Sequence, residues 1–407
     1  MNKLMAMNLS PNRVLGVVGL GIMLSLLGDQ TLYTVLPNPG IASEAGLTLA
    51  MVGILLGVNR LARVLTNAPA GYLYDRFPRK PLMVSSLSVG AVSTVIYTTA
   101  ASPGLFVFGR ILWGIAWSGI WIGSNTIALD ISENGDRGWI TGRLQMWFFL
   151  SIGIASLAGG LFTDLFGFKG GLVLSACLTL LGVGLWALLL PETRPQKTMV
   201  SGGVETVKER EKFPWAVTLQ ASIPTFALRL VFAGVITSTT ILWLGQFFEG
   251  GAPLDGIIVP LATLAGIFVV LRMLLSMLSA PLSGLISDRW GKRWIVLGLI
   301  FLAGAAGLWW MGSLTMAIAL LGAAFATVSA GGIQGLVPAV IGDRVSNTRQ
   351  SRVLGVVYTI GDIGSAIGPP MALFLVPFIG IGYLFRICAA VFAAVGLFSL
   401  MMASREK

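Results

Sequence analysis

The sequence predicts an all-α membrane protein built from twelve transmembrane helices. Hydrophobic residues make up 55% of the 407 residues and charged residues only 11%, whereas a soluble domain carries about 25% charged residues. Apolar segments long enough to cross a bilayer recur along the chain, and one charged turn occurs twice, half a chain apart. A membrane protein with such an internal repeat is a candidate transporter.

The predicted spans are apolar segments of about 18 residues or more. In chain order they lie at 13–36, 46–73, 82–100, 104–129, 140–164, 169–190, 217–248, 257–283, 294–312, 314–341, 353–377 and 382–402. A polar interval separates six spans from six. We therefore expect an N-terminal six-helix bundle at 1–190, a cytoplasmic linker at 191–214 and a C-terminal six-helix bundle at 215–407.

The net charge of +10 reflects membrane topology rather than a nucleic-acid surface. Lys and Arg are concentrated in alternate loops and in both termini, whereas the opposite loops carry only Lys169. Basic loops stay in the cytoplasm during insertion. Both termini are therefore predicted to be cytoplasmic, in a multi-pass protein of the cell (inner) membrane with no nucleic-acid partner.

The composition also argues against several kinds of chemistry. The chain contains no His, which removes His-based metal sites, His proton relays and a Ser-His-Asp triad. It contains neither a phosphate-binding G-x-x-x-x-G-K-[ST] loop nor a G-x-S-x-G nucleophile turn. We expect no enzyme activity, no metal, no cofactor and no direct use of ATP.

The charged turn is repeated at a constant offset. The first copy is Gly71–Lys80 (GYLYDRFPRK), and the second is Gly284–Arg293 (GLISDRWGKR), 213 residues later. Two further pairs keep this offset: Asp130 with Asp343, and Gly142 with Gly355. Because the spacing persists across four helices, we expect the two halves to share one fold.

These motifs resemble the major facilitator superfamily over nearly the whole chain. The first turn resembles its G-x-L-a-D-R-x-G-R-K signature between spans 2 and 3, with Pro78 in place of the usual Gly. Arg110–Gly114 resembles the fourth-span R-x-x-q-G motif, and Asp29–Pro37 resembles the D-x-T…LP pattern of drug exporters. The antiporter motif is degenerate in span 5 but cleaner at Gly364–Pro369. The resemblance implies two pseudo-symmetric six-helix bundles, drug/proton-antiporter-like transport and a monomer.

The same resemblance implies that the two turns latch the bundles together on the cytoplasmic side. Glycine allows close helix contact, and Asp can accept hydrogen bonds from a helix N-terminus or pair with Arg. The alternative is that the charged turns only set the topology. The gate residues implied are Gly71, Asp75, Arg76, Gly284, Asp288, Arg289, Asp130 and Asp343.

Charged residues inside spans are the candidates for coupling, because each one is costly in lipid without a partner. Asp29 and Arg110 lie about seven and six residues from the outer ends of spans 1 and 4, which matches their depths at about 1.5 Å per residue. The same count places Asp362 level with Arg63, one turn from Arg60. We predict an Asp29–Arg110 pair and an Asp362 pair with Arg63 or Arg60, and assign proton coupling to Asp29, Arg110 and Asp362.

Arg272 has no evident acidic partner in the sequence. It heads a polar stripe at helical spacing, with Ser276, Ser279 and Ser283. An unpaired buried Arg implies a wet cavity or an anionic ligand; the alternative is an Arg bonded to backbone carbonyls and water. Arg229 and Arg386 are placed near span ends, where snorkelling to the interface is expected.

Aromatic and polar residues complete the predicted substrate cavity. Trp side chains recur every four residues in span 4, and Tyr33 and Tyr358 each lie four residues from an intramembrane Asp. Such stripes would suit an amphipathic ligand, although helix packing is the alternative. The predicted cavity residues are Tyr33, Arg60, Arg63, Trp117, Trp121, Trp243, Gln246, Arg272 and Tyr358.

The function predicted is secondary active transport by alternating access, as proton-coupled export of small amphipathic, drug-like molecules. One alternative is a transporter or flippase of anionic amphiphiles such as lysophospholipids or organic anions. Another is a non-transporting membrane receptor or scaffold. The expected partners are a small-molecule or lipid-like substrate, protons and the lipid bilayer.

Overall fold

Helices occupy nearly all of the residues that the computed structural model describes, which are 10–36, 39–133, 135–194, 213–248, 252–254, 257–259 and 261–405. Ten of these described helices are long and apolar enough to cross a membrane. One of them, Arg137–Leu189, breaks at Gly167, whose φ of 73° is not helical. Gly171 packs against Phe162 across this break, so the helix folds back and supplies spans 5 and 6.

The remaining spans follow the predicted order. Span 2 is the helix Leu49–Arg76, which carries Arg60 and Arg63 within it. The predicted fold class, an all-α protein of twelve spans, is confirmed for the described part of the chain. The other helices are span 1 Pro11–Val35, span 3 Arg79–Thr99, span 4 Pro103–Ile131, span 7 Trp215–Gly245, span 8 Leu261–Trp290, span 9 Arg293–Met311, span 10 Met316–Arg344, span 11 Gln350–Ile379 and span 12 Ile381–Ser404.

Two small elements join spans on one side of the bundle. A short helix, Pro39–Glu44, follows span 1. An antiparallel hairpin of β1 (Ala252–Leu254) and β2 (Ile257–Val259) precedes span 8. We call this side the opposite face, and the side that carries the duplicated turns the basic face.

Local sequence signals set where the first spans begin. The Ser10 hydroxyl accepts the backbone N–H of Arg13, and the Thr48 hydroxyl accepts that of Met51. Both are capping bonds that satisfy N–H groups of the first helical turn. Pro103 occupies the first turn of span 4, where its missing N–H has no helical partner to lose.

The two halves meet where span 2 crosses span 11 and where span 5 crosses span 8. In the first crossing, Gly71 lies against the backbone of Ser351, and Gly355 lies against the backbone of Asn67. A side chain on either glycine would collide with the other helix. The crossing therefore depends on these two glycines.

The second crossing repeats the first at the offset read from the sequence. Gly284 lies against the backbone of Gly138, and Gly142 lies against the backbone of Ala280. Each of these four positions lies 213 residues from its counterpart in the first crossing. The sequence repeat is thus a pseudo-two-fold relation between the halves in the structure.

The domain boundaries at 190 and 215 remain predictions. Of the predicted linker, residues 195–212 lie outside the described residues. The described residues that flank it, Leu189 and Trp215, are the last residue of span 6 and the first of span 7.

Candidate transport pathway and basic-face latches

Asp29 of span 1 and Arg110 of span 4 form an ion pair inside the N-terminal half. Arg110 is 0% exposed and Asp29 is 5% exposed. The prediction that these residues lie close together is confirmed. Each charge compensates the other at a depth where an isolated charge would be unfavourable.

Tyr33 connects this pair to the neighbouring helix. The Arg110 Nη2 donates to the Tyr33 hydroxyl over 3.1 Å, and its Nε donates to the carbonyl oxygen of Leu55 over 3.1 Å. The Tyr33 hydroxyl in turn donates to the carbonyl oxygen of Leu56. The guanidinium is therefore bonded to spans 1 and 2, and the ring of Tyr33 also lies 5.0 Å from it.

Asp362 of span 11 lies in a basic cluster between the two halves. Its carboxylate is 3.2 Å from a guanidinium nitrogen of Arg63 and 3.8 Å from one of Arg229. The side-chain amide of Asn67 donates to the same carboxylate over 2.9 Å. The predicted pairing of Asp362 with Arg63 across the halves is confirmed.

The position of Arg229 corrects a prediction. Snorkelling from a span end was expected, but Arg229 lies about 21 Å along span 7 from Trp215 at the usual helical rise. Its side chain is 19% exposed and pairs with Asp362. Arg229 also begins a π-helical stretch that ends at Ile236, and such mid-helix irregularities are frequent at functional sites. Sequence reasoning missed this residue, although the depth count used for Asp362 would have found it.

A cavity of about 460 Å³ opens beside this cluster, between spans 2 and 11. Tyr33 and Arg60 contribute its polar groups, and Arg60 reaches the carbonyl oxygen of Ser365 over 3.0 Å. Tyr33 and Arg60 line the cavity as predicted. Arg63, also a predicted cavity residue, pairs with Asp362 instead. The rest of the lining is mainly apolar and includes Ile54, Leu56, Val58, Leu61, Ala366 and Pro369.

Arg272 is buried without an acidic partner among the described residues. Its guanidinium carbon lies 5.6 Å and 5.9 Å from the ring centres of Phe232 and Phe268. The serines that follow it pack on span 10: the Ser276 hydroxyl donates to the carbonyl oxygen of Thr327. The polar stripe is therefore a helix contact, and cation–π contacts hold the arginine.

The tryptophans of span 4 form a packed column. Trp117 stacks between Trp113 and Trp121, with centroid distances of 6.0 and 5.8 Å. Trp121 also contacts Phe148, at 4.6 Å, and Tyr358 of span 11, at 6.2 Å. Trp117, Trp121 and Tyr358 were predicted as cavity residues, but all are at most 7% exposed. In this conformation they pack the helices and link the halves.

The two predicted cavity residues of span 7 lie elsewhere. Trp243 is 1% exposed, donates from Nε1 to the carbonyl oxygen of Met311 over 3.0 Å and packs against Phe268. Gln246 is exposed at the opposite face. Neither lines the cavity between spans 2 and 11, because Trp243 is fixed in the C-terminal half and Gln246 lies beyond its helix.

At the first crossing, the turn is joined to span 11 by an ion pair. The Asp75 carboxylate lies 3.5 Å from the Nε of Arg352, in the first turn of span 11. Arg76, one residue on, is exposed and lies over the ring of Tyr72. Its counterpart Arg289 is exposed and forms no ion pair with another described residue. Of these three predicted gate residues, Asp75 contacts the other half, whereas Arg76 and Arg289 do not among the described residues.

At the second crossing, the aspartate caps a helix. The Asp288 carboxylate accepts the backbone N–H groups of Gly138 and Trp139 over 3.0 and 2.7 Å, at the start of span 5. It also accepts a bond from Arg293 over 2.7 Å. The carboxyl of the neighbouring Asp136 is partly buried, and this burial raises its pKa above the ordinary value. A carboxylate on helix N–H groups is the contact expected from the helix dipole.

Asp130 and Asp343 hold each turn to the end of the fourth span of its half. Asp130 pairs with Arg79 at 2.9 Å. Asp343 pairs with Arg293, and also with Arg137 of the other half at 2.9 Å. The two aspartates are therefore equivalent within their halves, but only Asp343 bridges between halves in the described structure.

The two turns differ by one residue in the structure. Arg79 and Arg293 each begin a helix and bind the equivalent aspartate, yet Arg79 aligns with Lys292 at the 213-residue offset. Gly291, with a φ of 64°, adds a residue in the left-handed region. Pro78, with a φ of −57°, cannot adopt that conformation. The Pro-for-Gly departure therefore shortens the first turn.

Residues that follow span 6 bind the first turn. The Glu192 carboxylate accepts the backbone N–H groups of Arg79 and Lys80 over 2.8 and 3.1 Å. Arg194 donates to the carbonyl oxygens of Asp75 and Arg76 at the end of span 2. The start of the predicted linker thus caps both helices of this turn.

Uncharged side chains make further contacts between the halves. The Gln334 amide donates to the Gln145 side-chain oxygen over 2.9 Å, and the Thr141 hydroxyl donates to the carbonyl oxygen of Gly335 over 2.9 Å. Sequence reasoning missed them because it followed charges only. The available signal was a glutamine inside each of two apolar spans, a residue that usually bonds across helices in lipid.

Comparison with known proteins places the chain among membrane transporters. The profile of the Major Facilitator Superfamily matches residues 18–271 and 260–407. The inner membrane transport protein YajR of Escherichia coli is 28% identical over 244 residues, which are 58% of this chain and 51% of that protein. The class C tetracycline resistance protein of Escherichia coli is 29% identical over 147 residues, 36% of this chain and 35% of that protein. The chain thus matches about half or less of the length of these two relatives.

The fold is similar to solved transporter structures over almost its whole length. The human organic anion transporter MFSD10 (TETRAN) superposes with a TM-score of 0.78, covering 96% of this chain and 99% of that one at 17% identity. The fucose–proton symporter FucP, in the outward conformation, gives a TM-score of 0.70 at 15% identity and covers 95% and 98%. At this low sequence identity, the similarity to both structures concerns the fold alone.

Proposed function

Because the chain belongs to the major facilitator superfamily, a family of membrane transporters, we propose that it moves organic anions with an apolar body by alternating access, coupled to protons. Membership of this superfamily supports membrane transport in general, and the inner-membrane relatives fit a multi-pass protein of that membrane. The substrate class, the coupling and the residues involved are the proposal.

The observation that carries the substrate class is the excess of positive charge between the halves. Arg63 and Arg229 share a single carboxylate, that of Asp362, and Arg60 lies nearby on the carbonyl oxygen of Ser365. Spans from both halves bring these groups to similar depth. An anion entering between the halves would find guanidinium groups that outnumber the resident acid, and guanidinium forms the strongest paired bonds with carboxylate or phosphate.

The neighbouring cavity supports an amphipathic substrate. Its walls are mainly aliphatic, and Arg60 and Tyr33 supply the polar groups. A pocket of mostly apolar walls with a few polar groups is typical for small organic ligands. An anion of this kind would place its charge at Arg60 and its apolar body against spans 2 and 11. The fold likeness to an organic anion transporter agrees with this class without carrying it.

Proton coupling would follow from competition for the same arginines. Deprotonated Asp362 occupies Arg63 and Arg229; a proton on this carboxylate would release both for the substrate. Anion and proton would then bind to the same state, which favours their movement in one direction. Asp29 is the second candidate carrier, since Tyr33 joins the guanidinium of its partner Arg110 to the cavity.

The direct test is flux in proteoliposomes under an imposed pH gradient. Matched pairs of compounds would differ only in a carboxylate replaced by a neutral amide or an amine, and a lumenal pH dye would report the proton. We expect anion-dependent proton movement, with the amide and amine inactive. Transport of the amide or amine at the rate of the acid would contradict the proposal.

A second candidate is proton-driven export of neutral or cationic drug-like molecules. It is favoured by the likeness of 36% of the chain to a tetracycline resistance protein and by the buried Asp29, which could exchange a proton for a cationic substrate. In the same assay, substrate and proton would move in opposite directions. The sign of the dye signal therefore separates the two candidates.

The basic face is proposed to be the cytoplasmic one, because basic loops stay inside during insertion. After removal of Cys177 and Cys388, single cysteines would replace Arg289 on the basic face or Leu314 on the opposite face; both positions are exposed. A membrane-impermeant maleimide should label only the Leu314→Cys protein in intact cells. Labelling of the Arg289→Cys protein alone would reverse the orientation.

A further inference from the structure

Arg386 lies on the membrane-facing surface of span 12, near the opposite face. It follows Ile381, the first residue of the helix, by about 8 Å at the usual helical rise. Its neighbours on the same side, Tyr383 and Ile387, are 63% and 49% exposed. This depth corresponds to the boundary between headgroups and acyl chains.

Two aromatic rings hold the guanidinium of Arg386 in place. Its central carbon lies 5.3 Å from the ring centre of Trp309 and 5.2 Å from that of Tyr383. The Nε is buried and has no hydrogen-bond partner among the described residues. No described carboxylate pairs with this side chain either. A fixed cation with free donors at the edge of a bilayer is a favourable site for an anion.

An apolar groove of about 650 Å³ runs beside this guanidinium. Ile379, Ile387 and Ala390 contribute to its walls, together with the two rings. Span 12 runs from the opposite face towards the basic face, so Ala390 lies deeper in the membrane than Arg386. Phe378, Ile379 and Tyr383 line the groove nearer the opposite face, so Arg386 lies part-way down a groove that is otherwise apolar and aromatic.

We propose that this groove binds one anionic phospholipid of the leaflet at the opposite face. The phosphate bonds to the free donors of Arg386, and an acyl chain lies along Ile387 and Ala390. A lipid with net negative charge matches the single positive charge here, whereas the choline of a zwitterionic lipid opposes it. The only basic residue in the other loops of that face is Lys169, so Arg386 is the main positive charge available to such a lipid.

The test is a native mass spectrometry titration of the purified full-length protein with phosphatidylglycerol or phosphatidylcholine of identical chains. We expect one site that prefers phosphatidylglycerol roughly fivefold, because both lipids carry the phosphate and only phosphatidylcholine adds a cation that is repelled by Arg386. Arg386→Gln should lose this preference at one site. Arg289→Gln, an exposed arginine on the basic face, is the matched control and should retain it.

A second variant separates the lipid site from any effect of Arg386 on folding. Ala390→Trp fills the lower part of the groove and leaves the guanidinium in place, and it should lose the same site. The proposal is overturned if the wild type shows no preference between the two lipids. It is equally overturned if both variants keep every phosphatidylglycerol site of the wild type.

Discussion

Arg63 of span 2 and Asp362 of span 11 form an ion pair, 3.2 Å long, that joins the two halves near the middle of the membrane. The pair lies between the glycine crossing at the basic face and the cavity beside Arg60. Any movement that separates spans 2 and 11 at this depth must break it. The pair therefore links the charge state of the site to the conformation of the protein.

Replacing Asp362 by Asn should destabilise the folded protein in its present conformation. Arg63 and Arg229 would lose their shared carboxylate, and removing one member of a buried pair costs about 3 kcal/mol or more. The measurement is the midpoint of thermal unfolding in detergent. We expect Asp362→Asn to lower it clearly, and the double variant Arg63→Gln/Asp362→Asn to lower it less, because one uncompensated charge is then absent.

The matched control for this prediction is Asp164→Asn, which makes the same chemical change at an exposed position near the opposite face. Its unfolding midpoint should stay close to that of the wild type. Equal midpoints for Asp362→Asn and Asp164→Asn would show that the cluster does not depend on its carboxylate.

Leucine at Gly142 should open the crossing of spans 5 and 8. A Cβ at this position would lie 2.5 Å from the carbonyl oxygen of Ala280 and 2.6 Å from the Cα of Pro281. Backbone atoms cannot yield as a flexible side chain can, so the halves must separate there. Gly153→Leu on the same helix is the control, since nothing lies within 4 Å of its added Cβ.

Distances across the basic face would measure this opening. Spin labels on cysteines at Phe77 and Trp290, which are 50% and 59% exposed and belong to different halves, report the separation. The distribution should shift to longer distances for Gly142→Leu and stay unchanged for Gly153→Leu. An unchanged distribution in both would mean that the glycine contact does not hold the crossing closed.

Much of the scaffold could be predicted because its physical signals are local in the sequence. Span lengths follow from hydropathy, and the depth of Asp29 and Arg110 follows from a constant helical rise, so their pairing could be derived. The failures have equally local reasons. Arg229 was placed near a span end when the same count would have put it at mid-depth, and the tryptophans of span 4 carry no signal that separates a packed face from a cavity face.

The register of the duplicated turns shows a limit of alignment by offset. Asp130 and Asp343 keep the 213-residue spacing, but their partners Arg79 and Arg293 do not, because Gly291 adds a left-handed residue that Pro78 cannot supply. A constant sequence offset identifies structurally equivalent residues only where the two backbone segments have the same conformation. The Pro-for-Gly difference was visible in the sequence, whereas its effect on pairing required the structure.

Replacing Asp288 by Ala should weaken the second crossing. Its carboxylate accepts two backbone N–H groups at the start of span 5, and loss of such a cap costs about 1 kcal/mol. We expect a lower unfolding midpoint together with a longer distance between the same two spin labels. Arg289→Gln is the control from the adjacent position, and it should change neither quantity because its side chain is exposed.

Replacing Asp29 by Asn should separate proton coupling from substrate exchange. The amide oxygen of Asn can still accept a bond from Arg110, which keeps the geometry of the site, although the buried guanidinium loses its charge partner and the unfolding midpoint should fall as in Asp362→Asn. The group that could carry a proton is absent. If Asp29 carries the coupled proton, uptake driven by a pH gradient in proteoliposomes is abolished in this variant, whereas exchange of labelled for unlabelled substrate without a gradient persists. Retained exchange would show that the variant is folded and binds substrate. Full gradient-driven uptake in Asp29→Asn would remove Asp29 from the mechanism and leave Asp362, whose carboxylate lies at the cluster of arginines between the halves, as the remaining proposed carrier.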